Sequence, residues 1–567
     1  MKFYAKIILI SWICLTFSVI YYYREFTIYN SIHDLKRHKT LYKALAMKFG
    51  FGNADYLIET SGCSIPNFGK QLIIKNRQKL KATCGPRAVF IKRFGGDKIV
   101  FQLNKKNMQK YVKKKMKVSC CFSFGSRIDG KNSFAYTKCT PFQNGKKYKL
   151  LKEIVTVTCK GRINKKKGIE TIYEDSYIMV KKINKKKKQS VDVAWNVLVL
   201  GMSTMSRARM YSTMPLTVQY LQSHKWLDYK GYHKVGNSNL INLMSLLTDK
   251  NMMTVDRNCD TKSRLCDQVF IWEHFQNAGY ITAFGYDYFD LPATFTKNAF
   301  EPPSTDHHVW PYFIAKYRHQ QGNYYCTKKE PTGKQLLDYA YQFVDSYKTN
   351  NFFGMFWMNT FTSRVVSIPT LIDADTVDFF NNINKTGVLN NTFIILLSDH
   401  GITSGDIKTQ VESYYEERLP MFFMWVPYEF QKLHGSEYQN TSINQNRLTS
   451  AYDLHSTMLE ILKLSQHSQT PNSRPQYTSL FKEISADRRC VDIGINSKYC
   501  ACHDLENIEG DIRAEECIKL VVDYIQNRLK HIETIPCMSC TQLHMKSVVR
   551  SHMYNYNGNN YYLIAIK

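Results

Sequence analysis

The chain has 567 residues, 44% of them hydrophobic and 14% aromatic, which excludes a disordered polypeptide and exceeds what one compact core holds, so two or three domains are expected. The formal net charge is +30, yet Lys70 to Lys188 alone carries 34 Lys and Arg against 6 Asp and Glu, so the basic character belongs to one region. Its lysines lack interleaved aromatic stacking platforms, which argues against nucleic acid as the partner.

Behind Lys2 and Lys6, the 17 residues Ile7 to Tyr23 carry no charge and end in three tyrosines. With no small-x-small cleavage pattern, residues 1–23 read as a signal anchor, with a signal peptide as the alternative. Either reading sends the bulk of the chain into the secretory pathway, as a single-pass type II membrane protein or a secreted one, luminal or extracellular. Arg24, Lys36, Arg37 and Lys39 weaken the charge argument for orientation, so the cysteines carry it. Besides Cys14 there are 15, in three groups: Cys63 to Cys159, Cys259 to Cys326 and Cys490 to Cys540. In a membrane-targeted chain such groups read as disulfides. Cys500-x-Cys502 and Cys537-x-x-Cys540 keep zinc open as the alternative, and the odd count leaves one thiol over. Sequons at Asn384, Asn390 and Asn440 agree with a luminal face.

Residues 24–55 are a polar stem. From 56 to 191 short β-type runs (DYLIETSGC, KIVFQL, KVSCCFSF, EIVTVTC, TIYEDSYIMVKKI) alternate with lysine-rich turns, which predicts a small, basic, disulfide-stapled β-rich domain. Its lysines either solvate loops or form a surface for an anionic glycan or other polyanion across 70–188. Residues 192–485 change to alternating strands and helices. VAWNVLVLGM is a first buried strand, Met214 to His224 a helix and Trp226 to Val235 a second strand. Helices follow over Ile241 to Leu247, Phe270 to Ala278, Lys334 to Tyr347, Thr376 to Ile383 and Ala451 to Leu464. The alternation predicts an α/β core with a mostly parallel sheet covered on both faces. A Cys-rich extension occupies 486–567.

Thr392 to Gly401, TFIILLSDHG, is a β-branched apolar run ending in an acid, a histidine and a glycine. Doubly buried parallel strands have this composition, and ligands bind at their carboxyl ends, so Asp399 and His400 are candidate metal ligands. The bland alternative is a turn-capping Asp, a packed His and a Gly with positive φ.

VLVLGMSTMSR, MPLTVQYL, GYHKVGNSNLINLMSLLT, PPSTDHHVWPYF, SDHG, YYEERLPMFFMWVP and RRCVDIGINSKYCAC occur in one order. Together they resemble the domain-of-unknown-function 229 family (DUF229), a branch of the alkaline phosphatase and sulfatase superfamily, over roughly residues 56 to 545. The resemblance implies an alkaline-phosphatase-like α/β/α core. It also implies a nucleophile activated by a divalent metal, zinc or calcium, for phosphate- or sulfate-ester hydrolysis. Asp399 and His400 match the family's metal-binding Asp-His pair. Ser203 stands where the first-strand motif has Asp, Asn239 where the nucleophile motif has Thr, and Ser363 where a His is expected. An amide cannot become an alkoxide, and the two serines replace an anionic oxygen and an imidazole. Ser238 is the one rescue nucleophile, and Arg207 and Asp306 are further pocket residues. Two readings follow: a degenerate member acting as a binding protein with weak or absent metal, or an active metal-dependent ester hydrolase using a substituted site.

Overall fold

The computed structural model describes residues 55–67, 90–93, 97–103, 118–127, 134–162, 168–185, 194–248, 269–287, 305–309, 312–313, 326–327, 330–359, 368–403, 407, 410–466, 477–530, 545–556 and 558–566. The expected span Ile7 to Tyr23, the stem up to residue 54, Ser363, the lysine runs Lys113 to Lys115 and Lys165 to Lys167, and Cys84, Cys259, Cys266, Cys537 and Cys540 lie outside them. No helix among the described residues is long and apolar enough to cross a membrane.

The centre is a seven-stranded sheet. Its strands in chain order are β1 (Asn196–Met202), β2 (Leu227–Asp228), β3 (Ile281–Tyr286), β4 (His307–His308), β5 (Phe352–Met358), β6 (Thr392–Leu397) and β7 (Phe422–Trp425). They lie side by side as β2, β7, β6, β1, β5, β3, β4. The five strands β6, β1, β5, β3 and β4 run parallel. Every residue of β1, β3, β5 and β6 is buried, as an apolar run packed on both faces requires.

Alternation divides these side chains between two cores. Leu198, Leu200, Ile394, Leu396 and Phe356 face one layer, which includes the helices Thr332–Tyr347 and Asp373–Lys385. Val197, Val199, Phe393, Ile395 and Trp357 face the other, formed by the helices Asn239–Thr248, Ile271–Asn277 and Ala451–Gln466. The result is the α/β/α arrangement that the alternating sequence and the family resemblance imply.

Two elements depart from the expected pattern. β7 is antiparallel to β6. The Ser398 N–H bonds to Met421 O at 2.9 Å, so the chain re-enters the sheet at the end it has just left, and only an antiparallel strand can do so. The run Trp226 to Val235 is divided, with Leu227–Asp228 pairing with β7 and Gly231–His233 pairing in parallel with Leu448–Ser450. The second pairing needs a glycine, because a Cβ at Gly231 would sit 2.4 Å from Arg447 O.

The basic region forms a five-stranded sheet that includes Val118–Arg127, Ile154–Arg162 and Ile169–Ile178, with a three-stranded sheet beside it. Phe90, Phe101, Phe122, Phe124 and Tyr173 build a core of their own, stapled by Cys120–Cys159 and Cys121–Cys139. The hairpin Tyr56–Glu59/Ser64–Pro66 does not join this core. Ile58, Cys63 and Ile65 pack with Tyr452, Cys490 and Cys500, and Cys63 is bonded to Cys502. The C-terminal extension adds Cys490–Cys500, the helix Ile512–Lys530 and a three-stranded antiparallel sheet. Among the described cysteines Cys517 is free.

Candidate functional site

β1 and β6 are neighbours in parallel register, Gly201 beside Leu397, so the residues that follow them emerge together at the carboxyl end of the sheet. β1 delivers Ser203 and Thr204, and β6 delivers Ser398, Asp399 and His400. The helix Asn239–Thr248 begins opposite them. Its approach is set by Asn242, whose Oδ1 accepts the N–H groups of Val235 (2.9 Å) and Gly236 (2.8 Å). Thr204 holds φ at +59°, in the left-handed region that a β-branched residue avoids. That strain aims its N–H at Asp399 Oδ1, 3.1 Å away. Gly401 is required by close approach, since a Cβ there would lie 1.7 Å from Glu416 O.

Four of the residues singled out in the sequence meet here and bond to one another. Asn239 Nδ2 donates to Ser203 Oγ at 3.0 Å, and the Ser203 hydroxyl donates to Asp399 Oδ2 at 3.3 Å. Asn239 Oδ1 lies 2.7 Å from His400 Nε2. The other ring nitrogen, Nδ1, faces Gly401 O at 2.5 Å. Asp399 Oδ1 also accepts the His400 N–H at 3.1 Å. Ser203, Asp399 and His400 are all buried. Ser203 thus satisfies Asp399 and Asn239 meets His400, and both His400 nitrogens already face oxygen. Turning the Asn239 amide over exchanges donor for acceptor but still occupies Nε2.

The other singled-out residues have separate partners. Arg207 holds Asp228 through both Nε (2.9 Å) and Nη2 (2.6 Å). Although burial opposes it, the Asp228 carboxylate keeps this guanidinium above its ordinary range. Asp306 accepts from Lys185 Nζ at 2.6 Å and from the Thr282 N–H at 2.9 Å. Thr282 lies near the start of β3, beside Phe353 near the start of β5, so Asp306 sits toward the opposite end of the sheet from Asp399. Ser238 precedes the helix Asn239–Thr248, and its Oγ accepts the Ile241 N–H at 3.3 Å, the bond of a helix cap.

Glu416 and Glu417, which no motif in the sequence singles out, both belong to the helix Ser413–Arg418. Glu416 is fully buried, and burial pushes its carboxyl up to about 7 despite the nearby Ser206 hydroxyl and Arg209 guanidinium. Among the described residues neither Glu416 oxygen has a hydrogen-bond partner of ordinary geometry. Arg209 is also fully buried, and burial brings its guanidinium down to about 10. Glu417 pairs with the buried Lys234, which holds it below the carboxylate range against the opposing effect of burial. Nothing in a single sequence marks Arg209 and Glu416 as facing each other across two elements. A second cluster of metal-ligating residue types is His233, the residue before Lys234, with Cys490, Cys500 and Cys502, the sulfurs paired in disulfides.

The chain belongs to the DUF229 family (Protein of unknown function), whose model matches residues 88–549. No curated protein matches it. Solved structures similar to it include the C-terminal periplasmic domain of EcEptC from Escherichia coli in complex with Zn, at 13% identity and a TM-score of 0.38, covering 55% of this chain and 98% of that one. The lipoteichoic acid synthase LtaP from Listeria monocytogenes is similar at 11% identity and a TM-score of 0.35, over 56% of this chain and 78% of that one. The lipooligosaccharide phosphoethanolamine transferase A from Neisseria meningitidis is similar at 14% identity and a TM-score of 0.34, over 48% and 56%.

Proposed function

We propose that this chain is a binding protein of the secretory pathway, built on a phosphatase- and sulfatase-like fold whose hydrolytic centre has become a closed hydrogen-bond network. The observation that carries this reading is Asn239, which stands at the nucleophile position and bridges His400 (2.7 Å) and Ser203 (3.0 Å). An amide offers no ionisable oxygen, so the covalent route through a metal-activated alkoxide is closed. The donor set fits a divalent ion poorly. Among the described residues of this network one carboxylate and one imidazole are present, and a tight zinc site asks for three or four strong ligands. The Asp399 carboxylate already accepts hydrogen bonds from Thr204, His400 and Ser203, with the Ser398 hydroxyl 3.4 Å away. Metal binding at Asp399 and His400 is therefore weak or absent.

The luminal assignment draws on four disulfides, Cys63–Cys502, Cys120–Cys159, Cys121–Cys139 and Cys490–Cys500. Asn384 and Asn390 are exposed and available to carry glycans, whereas the Asn440 amide is engaged with Phe481 O at 3.0 Å. In this reading the uncharged N-terminal run anchors the chain in the membrane. The lysine-rich segment 70–188 supplies the binding surface, for an anionic glycan or another polyanion.

The test is turnover of aryl phosphate and aryl sulfate esters by the purified chain, with zinc or calcium added. No turnover above background is expected. Turnover abolished by Ser238→Ala or by a chelator would establish the competing reading, a metal hydrolase with a rescue nucleophile.

A further inference from the structure

We propose that His233, Cys490, Cys500 and Cys502 form a zinc site that becomes available when the two disulfides in which these cysteines take part are reduced. This inference does not depend on the reading of the Asp399 network. Cys63–Cys502 and Cys490–Cys500 lie side by side, with Cys490 Sγ 3.8 Å from Cys502 Sγ and Cys502 Sγ 3.8 Å from His233 Nε2. All four ligand atoms fall within 4.8 Å of one another. Tetrahedral zinc with bonds of about 2.3 Å to sulfur places neighbouring sulfurs about 3.8 Å apart. The spacing between the two disulfides is already that of such a site.

His233 is prepared as a ligand. Its Nδ1 donates to Gly231 O at 2.8 Å, which leaves Nε2 as the nitrogen with a lone pair, and that lone pair accepts the Ala501 N–H at 3.1 Å, a bond that zinc would replace. A backbone carbonyl fixing the tautomer and ring orientation is the usual outer partner of a metal-bound histidine. Burial brings His233 down to about 4, so the ring is neutral at physiological pH. The ring rides on Gly231–His233, held in register by Leu448–Ser450, so its position does not depend on either disulfide. His233, Cys490 and Cys500 are buried and Cys502 is partly exposed, which makes Cys502 the point where a reductant enters.

A phosphine gives two electrons to each disulfide and becomes a phosphine oxide with the oxygen of one water, whose two protons go to the separated sulfurs. Two equivalents yield thiols at Cys63, Cys490, Cys500 and Cys502. Zinc then displaces the protons of Cys490, Cys500 and Cys502 to the buffer and takes Nε2 of His233 as the fourth ligand. Cys63 remains a thiol. A reducing environment would thereby exchange two covalent cross-links for one metal cross-link without dismantling this part of the fold.

The full chain, reduced with a phosphine and titrated with cobalt(II) as an optical probe, should bind one tightly held ion per chain with the visible bands of a tetrahedral thiolate complex, displaced by zinc. The unreduced chain should show none. Affinity should fall at least tenfold in both His233→Ala and Cys490→Ser, and stay unchanged in the double variant Cys121→Ser, Cys139→Ser. Near-ultraviolet circular dichroism should be alike for the oxidised and the reduced, zinc-loaded protein. The proposal is overturned by absence of uptake after reduction, by uptake that ignores both ligand variants, or by loss of the near-ultraviolet signal on reduction whether or not zinc is present.

Discussion

His400 and His233 are both buried histidines beside potential metal ligands, yet their surroundings prepare them for opposite fates. His400 stands where the family resemblance expects a metal, but both of its nitrogens face oxygen atoms, of Asn239 and of Gly401. His233 stands within the motif GYHKVGNSN, at a position to which the resemblance assigns no metal, with one nitrogen fixed by Gly231 and the other turned toward the Ala501 N–H and the sulfur of Cys502. Residue type alone does not make a ligand. The partner of the second nitrogen decides whether a lone pair is left and where it points.

The largest test of this contrast is Asp399→Ala. In a metalloenzyme it removes a ligand and chiefly costs activity. Here it leaves the Thr204 and His400 N–H groups buried without an acceptor, and a loss of about 4 kcal/mol is expected. The shift of the urea midpoint at constant slope measures it. A protein of unchanged stability would show that the network is not structural.

The two regions should also respond to pH with opposite sign. Glu416 is raised to about 7 by burial, so the folded state holds a proton that the unfolded chain has already lost. Its contribution is complete below the ordinary carboxylate pKa and disappears as pH rises through 7, a span worth about 3 kcal/mol. Glu416→Gln should remove the decline between pH 5 and pH 8. His233 is lowered to about 4 by burial, so its contribution is present above the ordinary imidazole pKa and is lost as pH falls toward 4. His233→Gln, compared with the parent at pH 5 and pH 7, should flatten this acid limb by about 2 kcal/mol, less than the full span because pH 5 still lies above the folded-state value. Stability curves of the same sign in both variants would contradict the assignment.

Much of this was legible in the sequence, for identifiable reasons. β1 and β6 announced themselves because a doubly buried parallel strand must be apolar at every position, and SDHG marked where β6 ends. The same run placed Asp399 and His400, and the ordered motifs aligned Ser203 and Asn239 opposite them. What the sequence could not show was mutual satisfaction, because the bond from Asn239 to Ser203 spans 36 residues and that to His400 spans 161. Arg207 and Asp306 were read as pocket residues from proximity in motifs, but Asp228 and Lys185 hold them. The direction of β7 was equally hidden, since an apolar run does not say from which end it enters the sheet. The hairpin at Tyr56 joins the C-terminal segment through Cys63–Cys502, a pairing 439 residues apart that no spacing rule supplies.

The central claim is that the Asp399 network has replaced a metal centre, and zinc titration of the oxidised full chain beside the variant Ser203→Asp, Asn239→Thr, Ser363→His tests it most directly. The parent should take up no stoichiometric zinc, and the variant, with an added carboxylate and an added imidazole, should bind it. One equivalent of zinc bound by the oxidised parent and released by His400→Gln would contradict the account.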